Sequence, residues 1–363
     1  LRTTGILPDR DIAALVASGA LKPGRPLDAD QIQPASLDLR LGATAYRVRA
    51  SFLPGEGFAV TDKLQRLKLH EIDLTAGAVL ETGCVYIVPL LEELALPADV
   101  SASANPKSST GRLDIFTRVM TDRGREFDKI PAGYRGQLYM EVSPRTFPIV
   151  ARTGSRLSQI RFRRGNALLS EAELAALHAA ETLVASSRPG ISGGGIALSI
   201  DLEGDRNGLV GYRAKHHTEL VDVDRKAQHD VLDFWEPIHV RGAKELILDP
   251  DEFYILVGRE AVHVPPLYAA EMTPFDPLVG EFRVHYAGFF DPGFGHTAAG
   301  GTGSRAVLEV RSHEVPFILE HGQTVGRLVY EHMLSRPDRL YGADLASNYQ
   351  AQGLKLSKHF RSP

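Results

Sequence analysis

The sequence predicts a mostly β protein built as two tandem copies of one sandwich or barrel unit, with few helices. Three observations carry this prediction. Apolar runs of four to eight residues recur along the chain, as in SLDLRLG (36–42), VYIVPLL (85–91), QLYMEV (137–142), EFRVHYAGFF (281–290) and RLVYE (327–331). Gly, Pro and Asp punctuate them, the pattern of short strands joined by turns. Landmarks of the first half also return in order in the second. VYIVP at 85–89 is echoed by FYILV at 253–257, Pro97 by Pro265, MEV at 140–142 by LEV at 308–310, Pro148 by Pro316 and Gly154 by Gly322. These pairs share a spacing of 168 residues (309 − 141, 322 − 154). Ser36-Leu37-Asp38-Leu39 and Ser199-Ile200-Asp201-Leu202 are 163 apart (199 − 36), so about five residues were gained in between. Ordered matches at one period indicate duplication.

In chain order, residues 9–21 carry Ile12, Leu15 and Val16 at helical spacing and predict the first helix. The strand runs follow. In QLYMEV, period-2 alternation sends Leu138 and Met140 to one face and Tyr139 and Glu141 to the other. Ser170 with Glu173 forms a capping box ahead of Leu174 and Leu177, predicting a helix over 170–184. SSRPGISGGG (186–195) has the composition of a flexible joint. The expected organisation is a first unit at 1–165, a helix and Gly-rich linker at 166–195, and a second unit at 196–363. The Gly-rich stretch from Gly293 to Gly301 lacks the lysine of a phosphate-binding P-loop and predicts a hairpin excursion.

Composition narrows the function classes. At 363 residues the chain has room for two domains. A formal net charge of −4 supplies no overall basic field for a nucleic-acid polymer, whereas a small phosphorylated ligand needs only a local cationic pocket. No apolar run reaches the roughly 20 residues that span a bilayer. The single cysteine, Cys84, excludes an intrachain disulfide, fits a cytoplasmic location, and in its apolar run predicts a buried structural thiol. Nucleobase deaminases that use zinc carry H-x-E with P-C-x-x-C. With one cysteine the chain cannot carry P-C-x-x-C, which excludes that zinc chemistry. The adjacent His216 and His217 read as surface residues.

Two segments carry chemistry. ANPKSSTGR (104–112) places Lys107, Ser108 and Ser109 between Pro106 and Gly111, with Arg112 directly after, in a segment that must turn. Two cations, two hydroxyls and turn amides suit phosphate oxygens, and equally suit a solvated polar turn. GYRGQLYMEV (133–142) carries Glu141, which either faces solvent or stands in a cleft near Arg112. In the cleft, a carboxylate can take a proton from water and return it to a leaving amine.

These segments, with ILPDRDIAALVASGAL (6–21) and QIQPASLDLRLG (31–42), resemble the dCTP deaminase family of the trimeric dUTPase-like superfamily. The resemblance covers most of the first half and the extreme C-terminus. It implies two tandem dUTPase-like distorted β-barrel or jelly-roll domains, with a few short helices. It also implies zinc-independent deamination of dCTP to dUTP and ammonia, with Mg²⁺ carried on the triphosphate. By the same match Glu141 is the general base and acid, Ser108 and Arg112 position water and carboxylate, and Lys107, Ser108 and Ser109 contact phosphates. Tyr139 and Met140 then flank the substrate. Tyr341, Asn348 and Gln352 match a C-terminal segment that folds over the nucleotide, making 338–363 a lid, with Asn348 where the family has Lys. The second half lacks the Lys-Ser-Ser and Arg around 274–281, so Glu309, the counterpart of Glu141, is expected to be structural. The family's Asp-Pro-Gly is Pro131-Ala132-Gly133 in the first half and Asp291-Pro292-Gly293 in the second. Loss of that Asp at Pro131 weakens a dUTP-hydrolysing function unless Asp128 or Asp291 serves instead. The expected assembly is a homotrimer of two-domain chains, with a site composed from both halves and the lid from the second. Alternatives are a bifunctional deaminase and dUTP pyrophosphatase, a plain dUTPase, and a non-catalytic nucleotide-binding regulator.

Overall fold

The computed structural model describes residues 2–186, 189–240, 242–274, 282–285, 288–312, 314–342 and 353–361. Strands dominate, arranged in two halves with the same plan. In the first half the strands run in the order Lys68–Asp73, Thr44–Val48, Val85–Ala95, Arg135–Pro144, Ile115–Thr121. In the second the matching order is Trp235–His239, Leu209–Ala214, Phe253–Val262, Ser304–Ser312, Phe282–His285. A second sheet in each half completes the sandwich, centred on Arg156–Arg164 in one and Thr324–His332 in the other.

The duplication extends to single contacts. Glu141 pairs with Ile87 and Val142 with Tyr86; 168 residues on, Glu309 pairs with Ile255 and Val310 with Tyr254. The Tyr86 hydroxyl accepts from the Glu81 amide at 3.0 Å, and the Tyr254 hydroxyl from the Asp249 amide at 3.0 Å. The alternation in QLYMEV holds: Leu138 and Met140 enter the main core, while Tyr139 turns to the other face.

The helices are Asp9–Ala17, Val60–Leu67, Ser108–Gly111, Glu171–Ala180 and Val231–Phe234, with a 3-10 turn at Thr297–Ala299. The Ser170 and Glu173 capping box forms as the sequence indicates. Two expectations change. The Gly-rich joint contains a β-hairpin, Ile191–Ser192 with Gly195–Ser199, turned by Gly193 and Gly194 at φ 59° and 76°. That turn needs two left-handed residues, which glycine adopts without strain. The segment from Gly293 to Gly301 is a crossover, not a hairpin, because Phe289–Phe290 and Ser304–Ser312 lie in different sheets. Cys84 is half-buried, less enclosed than its apolar run implied. His216 and His217 are exposed.

Part of the second half joins the first half's core, beside a separate core of its own. A single cluster of buried apolar residues runs from Leu7 to Phe360 and takes Tyr212, Trp235, Ile255 and Val307 from the second half. Phe147 packs edge-on against Trp235 at 5.4 Å and Phe234 at 5.5 Å. Each such ring contributes about 1.5–3 kcal/mol by burial. Val221–Asp222 pairs in parallel with Ile149–Ala151, stitching second-half chain onto first-half sheet. Arg161, fully buried, reaches from the first half to the Asp291 carboxylate at 3.1 Å and the Ala270 carbonyl at 3.1 Å, with its guanidinium 4.0 Å from the Phe289 ring.

Candidate active site

The strand Val100–Pro106 ends where Pro106 pairs with Ser158, and the chain then turns into the one-turn helix Ser108–Gly111. The Lys107 amide donates to the Leu157 carbonyl at 3.0 Å, which fixes the start of the turn. Lys107, Ser108, Ser109 and Arg112 thereby line a cavity of about 540 Å³ between the halves. That volume lies within the ordinary range of small-molecule sites.

The opposite wall comes from the second half, where the cavity meets Phe289, Asp291, Val307 and Glu309. Glu309 is buried on the strand Ser304–Ser312, with its Oε1 3.8 Å from Arg112 Nε. Burial pushes its carboxyl up to about 8, while the Arg112 guanidinium pulls the other way. Burial likewise raises the Asp291 carboxyl, and Arg161 opposes the rise.

Glu141 is not among the residues lining this cavity. Its Oε1 accepts from Arg118 Nη2 at 2.7 Å and Nε at 3.1 Å, so its charge is answered inside the first half. The expected approach of Glu141 to Arg112 is therefore not made, and Glu309, expected to be structural, stands in that place. The cause is topological: the second half docks on the first with its own Glu-bearing strand facing the Lys107–Arg112 turn. Tyr139 and Met140, beside Glu141 in the sheet, also lie away from the cavity, in two different clusters. Asp128, one candidate for the Asp missing at 131, accepts from the Val119 amide at 2.7 Å and does not line the cavity. Asp291, the other candidate, lines the cavity.

The floor is ionic. Lys107 pairs with Asp38, and Arg156 pairs with Asp28 and with Asp30 at 2.9 Å. Asp38 also holds a buried Oδ1 without a hydrogen-bond partner. Among the described residues no cluster of three or more His, Cys, Asp or Glu is placed to hold a metal ion.

Tyr341 lines the cavity, whereas Asn348 and Gln352 lie outside the described residues. The chain beyond them forms a pinned wall. Arg112 Nη1 donates to the Lys355 carbonyl at 2.9 Å, and the Ser357 hydroxyl donates to the Ser109 carbonyl at 2.8 Å. His359, pushed down to about 4 by burial, donates from Nε2 to the Val223 carbonyl at 2.9 Å. Phe360 is buried against Trp235 at 5.8 Å and Phe234 at 5.3 Å. Lys358, held between these anchors, lines the cavity, and burial beside Lys107 and Lys226 pushes its amine down to about 8.

Sequence reasoning did not place Glu309, Arg156, Asp28 or Lys358 on this cavity. A signal for the first was present: the half that lost the Lys-Ser-Ser-Arg group kept Asp291 and Glu309, and the half that lost the Asp kept the cations. Nothing local to Lys358 marked it.

Residues 3–166 match the family described as 2'-deoxycytidine 5'-triphosphate deaminase (DCD) N-terminal domain, and residues 170–360 match the DCD C-terminal domain. Among curated proteins, a "dCTP deaminase, dUMP-forming" of Beutenbergia cavernae is 31% identical over 160 residues, 44% of this chain and 79% of that protein. A "dCTP deaminase" of Halorubrum lacusprofundi is 31% identical over 164 residues, 43% of this chain and 76% of that protein. A crystal structure of 2'-deoxycytidine 5'-triphosphate deaminase from Agrobacterium tumefaciens superposes with a TM-score of 0.88 at 78% identity, covering 92% of this chain and all of that one.

Proposed function

The chain belongs to the dCTP deaminase family and is an enzyme that deaminates dCTP; we propose that it does so in the cavity between its halves, with Glu309 as the proton carrier. The observation that carries this is the Arg112 and Glu309 pair, brought together from opposite halves inside that cavity. Water adds to C4 of the cytosine as its proton passes to the Glu309 carboxylate. The C4–N4 bond then breaks, Glu309 returns the proton to the departing amine, and the products are dUTP and ammonia. A carboxyl near 8 can both accept and return a proton at neutral pH. Arg112 opposes its neutralisation, and Ser108, on the cavity wall, is suited to orient the water.

Lys107, Ser109 and Arg156 form the triphosphate subsite in this proposal. Lys358 adds the cation that Asn348 does not supply. Mg²⁺ is proposed to arrive with the nucleotide, since the unpartnered Oδ1 of Asp38 fits a cation held beside the phosphates. Its charge would offset the phosphates against Asp28, Asp30 and Asp38. A cytoplasmic location is part of the proposal, as a deoxynucleotide substrate suits that compartment. The trimer implied by the resemblance is not required to complete a cavity already lined from both halves of one chain.

A second step, hydrolysis of dUTP to dUMP and pyrophosphate, is favoured by Asp291 on the cavity wall, and the Beutenbergia cavernae relative is named dUMP-forming. The test is to incubate the protein with dCTP and Mg²⁺, resolve products by chromatography, and repeat with Glu309→Gln. Loss of ammonia release in the variant is expected; unchanged release removes Glu309 from the chemistry.

A further inference from the structure

The two Glu-bearing faces of this duplicated chain meet opposite fates. In the second half, Tyr212, Phe253, Ile255 and Val307 join the core shared with the first half, and Glu309 on the same face meets Arg112. Their first-half counterparts are fixed by matching register. Tyr46 pairs with Ile87 as Tyr212 pairs with Ile255, and Glu141 opposes Ile87 as Glu309 opposes Ile255. Ile87 and Tyr139, the counterparts of Ile255 and Val307, lie outside the shared core. They sit in a separate cluster with Val60 and Leu64, flanked by Phe52, Leu53 and Leu67.

The covering segment, 49–67, joins the strands Thr44–Val48 and Lys68–Asp73 and includes the helix Val60–Leu67. It is tied down by the Val60 amide to Asp122 at 2.7 Å, the Gly55 amide to the Gly124 carbonyl at 3.1 Å and the Arg123 amide to the Phe58 carbonyl at 2.9 Å. The equivalent connection in the second half, 215–234, joins Leu209–Ala214 to Trp235–His239 and does the reverse. It reaches outward, pairing Val221–Asp222 with a first-half strand and setting Phe234 against Phe147. Glu141 follows the same logic. Its Arg118 partner donates to Ser51 Oγ of the covering segment at 2.8 Å and stacks 3.5 Å from the centre of the Phe127 ring.

A contact in which one unit's Glu-bearing face docks on the next unit's Lys-Ser-Ser-Arg side is heterologous. Repeated, it closes a ring of three or more units or runs on as an open chain. We infer that segment 49–67 is a built-in cap that ends this head-to-tail contact after two units, so that each chain carries one composite site and Glu141 serves none. The inference rests on the duplication and the packing, not on the reaction.

Sedimentation of the full chain without nucleotide tests it. No species of three or more chains is expected, since the face that would carry a further head-to-tail contact is covered. A double variant, Val60→Asp with Leu64→Asp, charges the buried side of the cap and should associate into species of three or more chains as concentration rises. If that protein stays folded by circular dichroism and its mass is unchanged, the cap is not what ends assembly. Should it fail to fold, two measurements on other proteins decide. Wild-type assembly into three or more chains overturns the inference. So does loss of dCTP turnover per folded chain in Glu141→Gln, because Glu141 would then complete a neighbour's site. Persistence of turnover in both Glu141→Gln and Glu309→Gln would instead count against the proposed chemistry and leave the mass result standing.

Discussion

Replacing Glu309 by Gln separates catalysis from stability, because the two should move in opposite directions. The carboxyl stands at about 8 in the folded chain against an ordinary 4.5. Between those values the folded state keeps a proton that the unfolded state has lost, so stability falls as pH rises through that window. At pH 7 the gap is about 2.5 units, roughly 3 kcal/mol at 1.36 kcal/mol per unit, an upper figure because a buried site relaxes. Gln keeps the shape and never ionises, so Glu309→Gln should melt higher than wild type at pH 7, with the difference shrinking toward pH 5. Turnover should fall by about 10²–10⁴, the range for loss of a positioned acid–base group. Ammonia release from dCTP and thermal melts across pH 5 to 8 measure both. A Glu309→Gln protein within tenfold of wild-type turnover, or one whose melting difference does not depend on pH, refutes the assignment of a buried, titrating proton carrier.

The remaining predictions concern the rest of the cavity. Catalysis by ionised Glu309 and phosphate binding by protonated Lys358 both change near pH 8, in opposite senses, so kcat/KM should be bell-shaped with its maximum close to pH 8; Lys358→Met should raise KM and flatten the alkaline limb. Asp291→Asn should leave ammonia release from dCTP within tenfold and abolish any pyrophosphate formed from dUTP, checked by separate assays of the two products. Phe360→Ala should cost about 3–5 kcal/mol in denaturant unfolding and raise KM, because the ring buried against Trp235 and Phe234 pins the wall that carries Lys358.

The fold was legible because its signals are local. Alternation in QLYMEV put Met140 and Tyr139 on opposite faces, the Ser170 and Glu173 pair capped a helix, and the 168-residue period named partners that the register reproduces. The cap helix Val60–Leu67 was missed because its short run is mostly polar, and its apolar side is explained only by Ile87 and Tyr139 beneath it. At the site, the Lys107–Arg112 side was legible because its residues are contiguous. Which of Glu141 and Glu309 shares the cavity with that turn was not, because both sit in near-identical strands. What distinguishes them is which face the other half covers, a property of docking between halves.

Under the proposed function, that difference accounts for each half carrying only half of the motif. Once duplication fixed one Glu-bearing face against one Lys-Ser-Ser-Arg turn within a chain, only that pair needed to stay intact. Arg112 and Glu309 remain because they face each other. The Asp absent at Pro131 carries no penalty in this arrangement, because the Asp on the cavity wall is Asp291, braced by Arg161 from the opposite half. In the same proposal Glu141 has a different physical role. Arg118 is held against Phe127 and Ser51, and removing the buried carboxylate would leave this guanidinium without its ion partner. A retained acidic residue in a family motif is therefore compatible with either chemistry or charge balance. In this chain the distinction follows from the cation each one faces: Arg112 comes from the opposite half and lines the cavity, and Arg118 comes from the adjacent strand of the same sheet.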